Sequence, residues 1–159
     1  MTVHRQPMRR ATERGVTIVE SAIILTMFFM LLFGVIEAGR FLNQRQVLTN
    51  AAREGARYAV LPLSGTNTLP SEAEIKTKVD SFLAAAHITG ATTTVKCPLA
   101  AVGCTSTDAS MSVVSGSVTT QYTEVTVSKN FAVVTVPGFF SAMNINLTGT
   151  SLMRRETSD

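Results

Sequence analysis

Residues 9–37 read RRATERGVTIVESAIILTMFFMLLFGVIE, an apolar stretch behind a basic one, and this stretch decides how the rest of the chain is organised. The apolar part, residues 16–36, would span about 30 Å as a helix, which is one hydrocarbon thickness. The polar residues that interrupt it are Thr17, Glu20, Ser21 and Thr26. We therefore predict a transmembrane helix over residues 16–36.

The positive charge of the chain is concentrated ahead of this helix. Residues 1–15 hold four arginines and one glutamate, a net charge of +3 that equals the formal net charge of the whole 159-residue chain. The remaining residues are neutral in sum and offer no basic stripe to a phosphate backbone, so we predict no nucleic-acid partner. Under the positive-inside rule, this leader stays cytoplasmic and the rest of the chain lies outside.

A helical pattern continues beyond the apolar stretch, which argues against a secretory signal peptide cut at its far end. Residues 37–60 are predicted to form an amphipathic extension of the helix. Its apolar face comprises Leu48, Ala52, Gly55, Ala56 and Ala59, and its polar face comprises Asn43, Gln46, Asn50, Arg53 and Arg57. Small side chains allow another element to approach closely, and two partners are open: the chain's own outer domain or neighbouring subunits.

Glu20 is the residue of the apolar stretch that makes insertion into the membrane less favourable. A carboxylate inside an apolar helix is unfavourable unless it is paired, protonated or close to the lipid headgroups. A cut between Gly15 and Val16 would release the basic leader and leave a new α-amine, a cation with a reference pKa of about 7.7–8.0. Two interpretations are open: Glu20 reaches the headgroups and has no further role, or it pairs with such an amine on a neighbouring helix and sets the register between subunits.

Residues 61–159 are predicted to form an outer α+β domain. Ser71 and Glu74 make a capping-box pattern that opens a short helix. Segments rich in Thr and Val favour strands at residues 92–97, 122–136 and 145–153, and a Ser/Thr-rich segment, residues 105–120, favours a surface hairpin or loop. We therefore expect a long N-terminal helix packed on a small antiparallel sheet, with one further short helix.

The two cysteines of the chain, Cys97 and Cys104, lie in the part that is predicted to be outside the cytoplasm. There we expect a disulfide, which would contribute about 2.5 kcal/mol by restricting the unfolded chain. Free thiols and a metal site are the alternatives, although zinc requires more ligands than these cysteines and His87 supply. We predict no metal and no cofactor.

An enzymatic function is not expected. The chain has no Gly-x-Ser-x-Gly motif, no P-loop and no His-Glu-x-x-His motif. Glu72, Glu74 and Asp80 are predicted to lie on the polar face of the short helix, where they would form a solvated surface rather than an acid–base pair.

Two segments carry a resemblance to a known family. Arg14 and Gly15, followed by four residues and then Glu20 ahead of an apolar helix, resemble the class III signal of type IV pilin-like proteins. Residues 33–60, FGVIEAGRFLNQRQVLTNAAREGARYAV, resemble the TadE-like family of the tight-adherence (Flp) pilus system, and residues 147–156, LTGTSLMRRE, are similar to the C-terminal strand of that family.

The resemblance implies roles for individual residues of the signal. Gly15 would be the position at which a prepilin peptidase cuts, Val16 the first mature residue, and Glu20 the glutamate of the motif. Ser21 departs from the pattern, because an aromatic residue often follows the glutamate in these pilins.

The resemblance also implies a function and a location. The chain would be a minor pseudopilin of the bacterial inner membrane that helps to assemble a surface pilus for adherence or biofilm formation. Its partners would be other pilin-like subunits, the pilus assembly platform, prepilin peptidase and membrane lipid. The alternatives are an uncleaved single-pass anchored binding domain and a pseudopilin of a general secretion system.

Overall fold

The structure is a computed structural model that describes residues 9–62, 68–98, 104–115, 118–133 and 143–155 and, from residue 15 onward, their side chains apart from those of residues 109 and 118. Parts of four predictions lie outside the described residues: leader residues 1–8, residues 116–117 of the predicted hairpin or loop, residues 134–136 of a predicted strand, and Glu156 of the C-terminal segment. The chain divides into two compact units between Arg40 and Phe41. The predicted α+β class is confirmed, since the elements are a long N-terminal helix, a short helix and an antiparallel sheet of four strands.

The first unit holds the first part of helix α1, which runs over Arg9–Val60. Its large apolar side chains are exposed, and Ile18 and Met27 keep 70% and 68% of their surface. Among the described residues, this helix is long and apolar enough to cross a membrane: its apolar window has a mean hydropathy of 2.3 and none of it is buried. The helix therefore fits a single-pass membrane anchor.

The second unit begins with the remainder of α1, and here the helix has a buried face. Leu48, Ala51, Ala52, Ala56 and Ala59 are at most 2% exposed and belong to the core. The polar face predicted for this segment is exposed at Asn43, Gln46, Asn50, Arg53 and Arg57. The predicted amphipathic pattern is confirmed, and its small-residue face packs against the rest of the second unit.

Helix α2 runs over Glu72–Ala85 and begins with the predicted capping box. The Ser71 hydroxyl accepts a hydrogen bond from the backbone N–H of Glu74, whose carboxylate in turn accepts from the backbone N–H of Ser71 at 2.7 Å. Two orphan amide donors at the helix start are thereby satisfied. Ile75, Val79 and Leu83 recur at intervals of four and are buried against the sheet.

The sheet is organised around one long strand. Its strands are β1 (Thr92–Lys96), β2 (Ser112–Ser115), β3 (Val118–Ala132) and β4 (Asn144–Arg155), and a short 3-10 turn, Ala109–Met111, precedes β2. Strand β3 pairs antiparallel with each of the other three. The Ser/Thr-rich segment predicted as a hairpin or loop contributes β2 and the start of β3, which pair antiparallel, so the hairpin alternative is confirmed.

Two glycines allow the helices and the sheet to approach at backbone distance. A Cβ added to Gly149 of β4 would lie 2.6 Å from the carbonyl carbon of Leu48 and from the amide nitrogen of Thr49. A Cβ added to Gly55 of α1 would lie 2.5 Å from Cγ2 of Val79. Such separations are far below ordinary carbon contacts, so the α1–sheet and α1–α2 contacts both require glycine.

Candidate functional site

Glu20 differs from the other polar residues of the apolar helix. The Ser21 hydroxyl donates to the carbonyl of Thr17 at 2.8 Å, and the Thr26 hydroxyl donates to the carbonyl of Ala22 at the same distance. These hydroxyls are satisfied within their own helix. The Glu20 side chain is exposed and makes no hydrogen bond or ion pair with any residue that the structure describes. Its carboxylate is therefore the polar group of this segment that is available to an outside partner.

The predicted cleavage position lies within α1. Gly15 and Val16 are both exposed, and a Cβ built on Gly15 would have nothing within 4 Å. Packing among the described residues therefore gives no reason for glycine here, in contrast to Gly55 and Gly149. Interior glycine lowers helix stability by about 1 kcal/mol relative to alanine, so its presence calls for a different explanation.

Cys97 and Cys104 approach each other at the end of β1. Their Sγ atoms lie 2.05 Å apart, which is disulfide distance, and their Cα atoms are 6.3 Å apart. Two backbone hydrogen bonds reinforce the same contact: the N–H of Cys97 donates to the carbonyl of Ser106 at 3.1 Å, and the N–H of Asp108 donates to the carbonyl of Cys97 at 2.8 Å. The segment that follows Cys104 is thus held beside Cys97, the residue directly after β1.

The prediction that Glu72 lies on a solvated face of α2 is wrong, because this residue is buried. The residue is 7% exposed, and its Oε2 accepts hydrogen bonds from the backbone N–H of Thr105 at 2.8 Å, from the Thr105 hydroxyl, and from the N–H of Ser106 at 3.4 Å. Its Oε1 accepts from Lys76 Nζ at 2.6 Å. The helical pattern placed Glu72 on the polar side of α2, but a distant loop covers that side at the first turn.

The contacts of Glu72 favour its ionised form. The hydrogen bond from Lys76, followed by those from Thr105, lowers the pKa of this carboxyl from 4.5 to about 2. Burial acts in the opposite direction but is outweighed. No local sequence signal pairs Glu72 with residues more than thirty positions away, which is why sequence reasoning missed this cluster.

The other two carboxylates of α2 are exposed as predicted. Glu74 accepts from the backbone N–H and hydroxyl of Ser71, and these bonds lower its pKa. Asp80 is exposed on the outer side of the helix. Within the described ranges, no group of three or more His, Cys, Asp or Glu residues is arranged to hold a metal ion.

Comparison with known proteins bears on the N-terminal helix. A family model described as TadE-like protein matches residues 15–57. No curated protein and no solved structure matches the chain. The match covers the apolar segment and most of the amphipathic one, but not residues 147–156, for which the resemblance stays a prediction. The TadE-like family is not known to be enzymatic. Residues 15–57 of this chain are therefore similar to the TadE-like family, as the sequence resemblance indicated.

Proposed function

We propose that this chain is a membrane-anchored minor pilin-like subunit that takes part in assembling a tight-adherence pilus for surface attachment or biofilm formation. The TadE-like match over residues 15–57 and the exposed apolar helix support a component of such a system. The partners in this proposal are other pilin-like subunits and the pilus assembly platform. The basic leader supports a single-pass orientation in the inner membrane, with the N-terminus cytoplasmic and the outer unit on the far side.

The observation that carries the proposal is the carboxylate of Glu20. It stands in an exposed apolar helix, and no described residue of its own chain pairs with it. A charged group in hydrocarbon is costly, so its natural complement is a cation supplied by a neighbouring subunit. A buried ion pair of this kind specifies register better than it stabilises, which suits an assembly contact.

Processing at Gly15 would supply that cation. Cleavage after Gly15 by a prepilin peptidase creates an α-amine on Val16, about 6 Å along the helix axis from Glu20 of the same chain. A neighbouring helix shifted along its axis brings its own amine closer. An added Cβ at Gly15 would have nothing within 4 Å, so packing among the described residues does not account for this glycine.

Crosslinking in membranes tests the role of Glu20. Ile24 lies one turn further along the same face and is 60% exposed, so a photoreactive group there reports helix–helix contacts. We expect Glu20→Gln to insert normally but to lower both the subunit crosslinks and the yield of surface pili, because the charge is lost. Glu37→Gln is the matched control, since Glu37 already pairs with Arg40 at 2.7 Å within its own helix. Equal crosslinking and pilus yield in parent and Glu20→Gln would refute the assembly role.

Mass analysis of the mature N-terminus tests the role of Gly15. We expect Val16 at the N-terminus of the parent, and an intact leader in Gly15→Leu, because a peptidase subsite shaped for glycine excludes a larger side chain. Gly34→Leu is the matched control: Gly34 also has nothing within 4 Å of an added Cβ but lies far from the cut. A mature mass for Gly15→Leu that corresponds to a start at Val16 would show that the cleavage site is elsewhere.

A second candidate, an uncleaved single-pass anchored binding domain, is favoured by the continuity of α1 through the proposed cut. The helix begins at Arg9 and passes Gly15 without a break. In this case the leader is a permanent cytoplasmic tether, and protein purified from membranes retains residues 1–15. The same mass measurement on the parent chain therefore separates the two candidates.

A further inference from the structure

Two separate constraints converge on the short segment after Cys104. Cys104 contacts Cys97 at disulfide distance, and the next residue, Thr105, donates both its backbone N–H and its hydroxyl to Glu72. Ser106 adds a third donor to the same carboxylate oxygen. The first constraint ties the segment to the end of β1, and the second ties it to the first turn of α2.

Because Cys104 directly precedes Thr105, the contact of Thr105 with Glu72 depends on the contact of Cys104 with Cys97. Three donors converge on one oxygen only if the backbone of residues 104–106 holds a single conformation, and the entropy of ordering such a segment is about 1–2 kcal/mol per residue. A covalent bond at Cys104, immediately before the first donor, removes most of that freedom in advance. Without it, the contacts among the described residues that still hold the segment at Cys97 are its backbone hydrogen bonds with residues 106 and 108.

We propose that the Cys97–Cys104 disulfide is an oxidation-dependent latch, which closes the segment of residues 104–106 over Glu72 and thereby fixes the start of α2 to the end of β1. In the reduced chain the core face of α2, made by Ile75, Val79 and Leu83, stays packed. Only the first turn of α2 loses a contact, namely the hydrogen bonds that Thr105 and Ser106 donate to Glu72. The latch is thus a local element with two states, distinguished by the oxidation state of the two cysteines.

The closing step is a thiol–disulfide exchange. The thiolate of one cysteine attacks a disulfide-bearing oxidant and forms a mixed disulfide, and the second cysteine then displaces the oxidant. The two cysteines lose two electrons and two protons, and the oxidant disulfide is reduced to two thiols. Such oxidants are available outside the cytoplasm and not inside it, so the latch closes after export in the proposed orientation. The cellular setting rests on the proposed function, whereas the latch itself is tested on purified protein.

Acid titration gives the latch a distinct signature. Lys76 is the charged group that acts on Glu72, and the Thr105 donors add to it, with the pKa of Glu72 held at about 2 instead of 4.5. A lowered pKa stabilises the folded state fully above pH 4.5, and this contribution is lost as the pH falls toward 2. Opening the latch removes the Thr105 and Ser106 donors but leaves Lys76 on the same helix. The pKa of the Glu72 carboxyl should then rise without reaching 4.5.

Hydrogen exchange on the full chain in lipid nanodiscs tests the proposal. We expect the Thr105 and Ser106 amides to exchange at least tenfold faster after reduction with a phosphine, and to recover their protection after reoxidation with oxidised glutathione. Cys97→Ser combined with Cys104→Ser should match the reduced parent. The carboxyl carbon signal of Glu72 in the NMR spectrum is assigned by its absence in Glu72→Gln. After reduction, this signal should titrate at a higher pH.

Two carboxylate variants provide the controls. Glu72→Gln should accelerate the same amides in the oxidised chain but by less than twofold in the reduced chain, because the contact is then already lost. Glu74→Gln should change neither state, since Glu74 lies in the same first turn but bonds only locally to Ser71. Equal exchange in the two oxidation states would overturn the latch. So would free thiols under oxidising conditions, or a loss of protection that extends to β3 and β4 on reduction.

Discussion

Helix α1 has two parts that obey opposite rules. Up to residue 36 it is built from large apolar side chains, and these are exposed, as at Ile18 and Leu31 with 70% and 67% of their surface free. From Leu48 to Ala59 it is built from small ones, and these are buried. In water the large side chains would be expected inside. The side chains of the first part therefore suit a partner or solvent outside the chain, whereas those of the second part pack against a partner within it.

The glycines of α1 show the same contrast. Gly15, Gly34 and Gly39 have open space around an added Cβ, whereas Gly55 meets Val79 and Val125. The methyl group added by a glycine-to-alanine substitution therefore reports whether the chain packs closely against itself at that position. The effect should be largest at Gly149, intermediate at Gly55 and smallest at Gly39.

The largest effect is expected at the contact between β4 and α1. In Gly149→Ala the new Cβ would meet the backbone of Leu48 and Thr49 at 2.6 Å, and backbone cannot rotate away. We expect the free energy of unfolding of the second unit to fall by about 2–3 kcal/mol. Native-state hydrogen exchange of the β3 core amides in the full chain measures this loss. Thr148→Ala, on the exposed side of the same strand, is the control and should stay within about 0.5 kcal/mol.

An intermediate effect is expected where α1 meets α2. Gly55→Ala places a Cβ at 2.5 Å from Val79 Cγ2, and a valine side chain has little rotamer freedom with which to yield. The gain in helix propensity offsets part of the clash, so the net loss should be about 1 kcal/mol. Combining Gly55→Ala with Val79→Ala should cost less than the sum of the two single changes, because the second removes the clashing methyl. Strict additivity would contradict the close approach.

The smallest effect is expected at Gly39, and with the opposite sign. No described atom lies within 4 Å of an added Cβ there, so Gly39→Ala should slow hydrogen exchange in the surrounding turn of α1 by the propensity gain of up to about 1 kcal/mol. The β3 amides should not change. A faster exchange in this turn would contradict the open surroundings of Gly39 and would show that packing within the chain begins ahead of the buried face of α1.

Much of this fold was predictable because its signals are local. The spacing of Leu48, Ala52 and Ala56 marks a helix face, and Ser71 with Glu74 marks a helix start, since both patterns act within one or two turns. Thr- and Val-rich segments likewise located β1 and the greater parts of β3 and β4. In each case the physical cause of the structure lies within a few residues of the pattern.

The features that were missed or left open depend on distant partners. For the Ser/Thr-rich segment a hairpin and a loop were both open, because the register of β2 with β3, as in the pairing of Ser112 with Gln121, decides between them. Glu72 is buried because a segment more than thirty residues away folds over it. Neither event leaves a periodic signal, since tertiary contacts override local preference in both. The roles of Gly15, Val16 and Glu20 stay predictions, because their proposed partners are other proteins.

The long strand β3 also sets the order in which the sheet of the second unit can form. Among the described residues, β1 and β2 have ladder partners only in β3, and β4 follows β3 in the chain. No ladder of the described sheet can therefore form before synthesis of β3 has begun at Val118. At about 5–20 residues per second, α1 precedes the sheet by several seconds. The apolar helix is thus free to enter a membrane while the rest of the chain is still unpaired, and folding of the sheet cannot compete with its insertion.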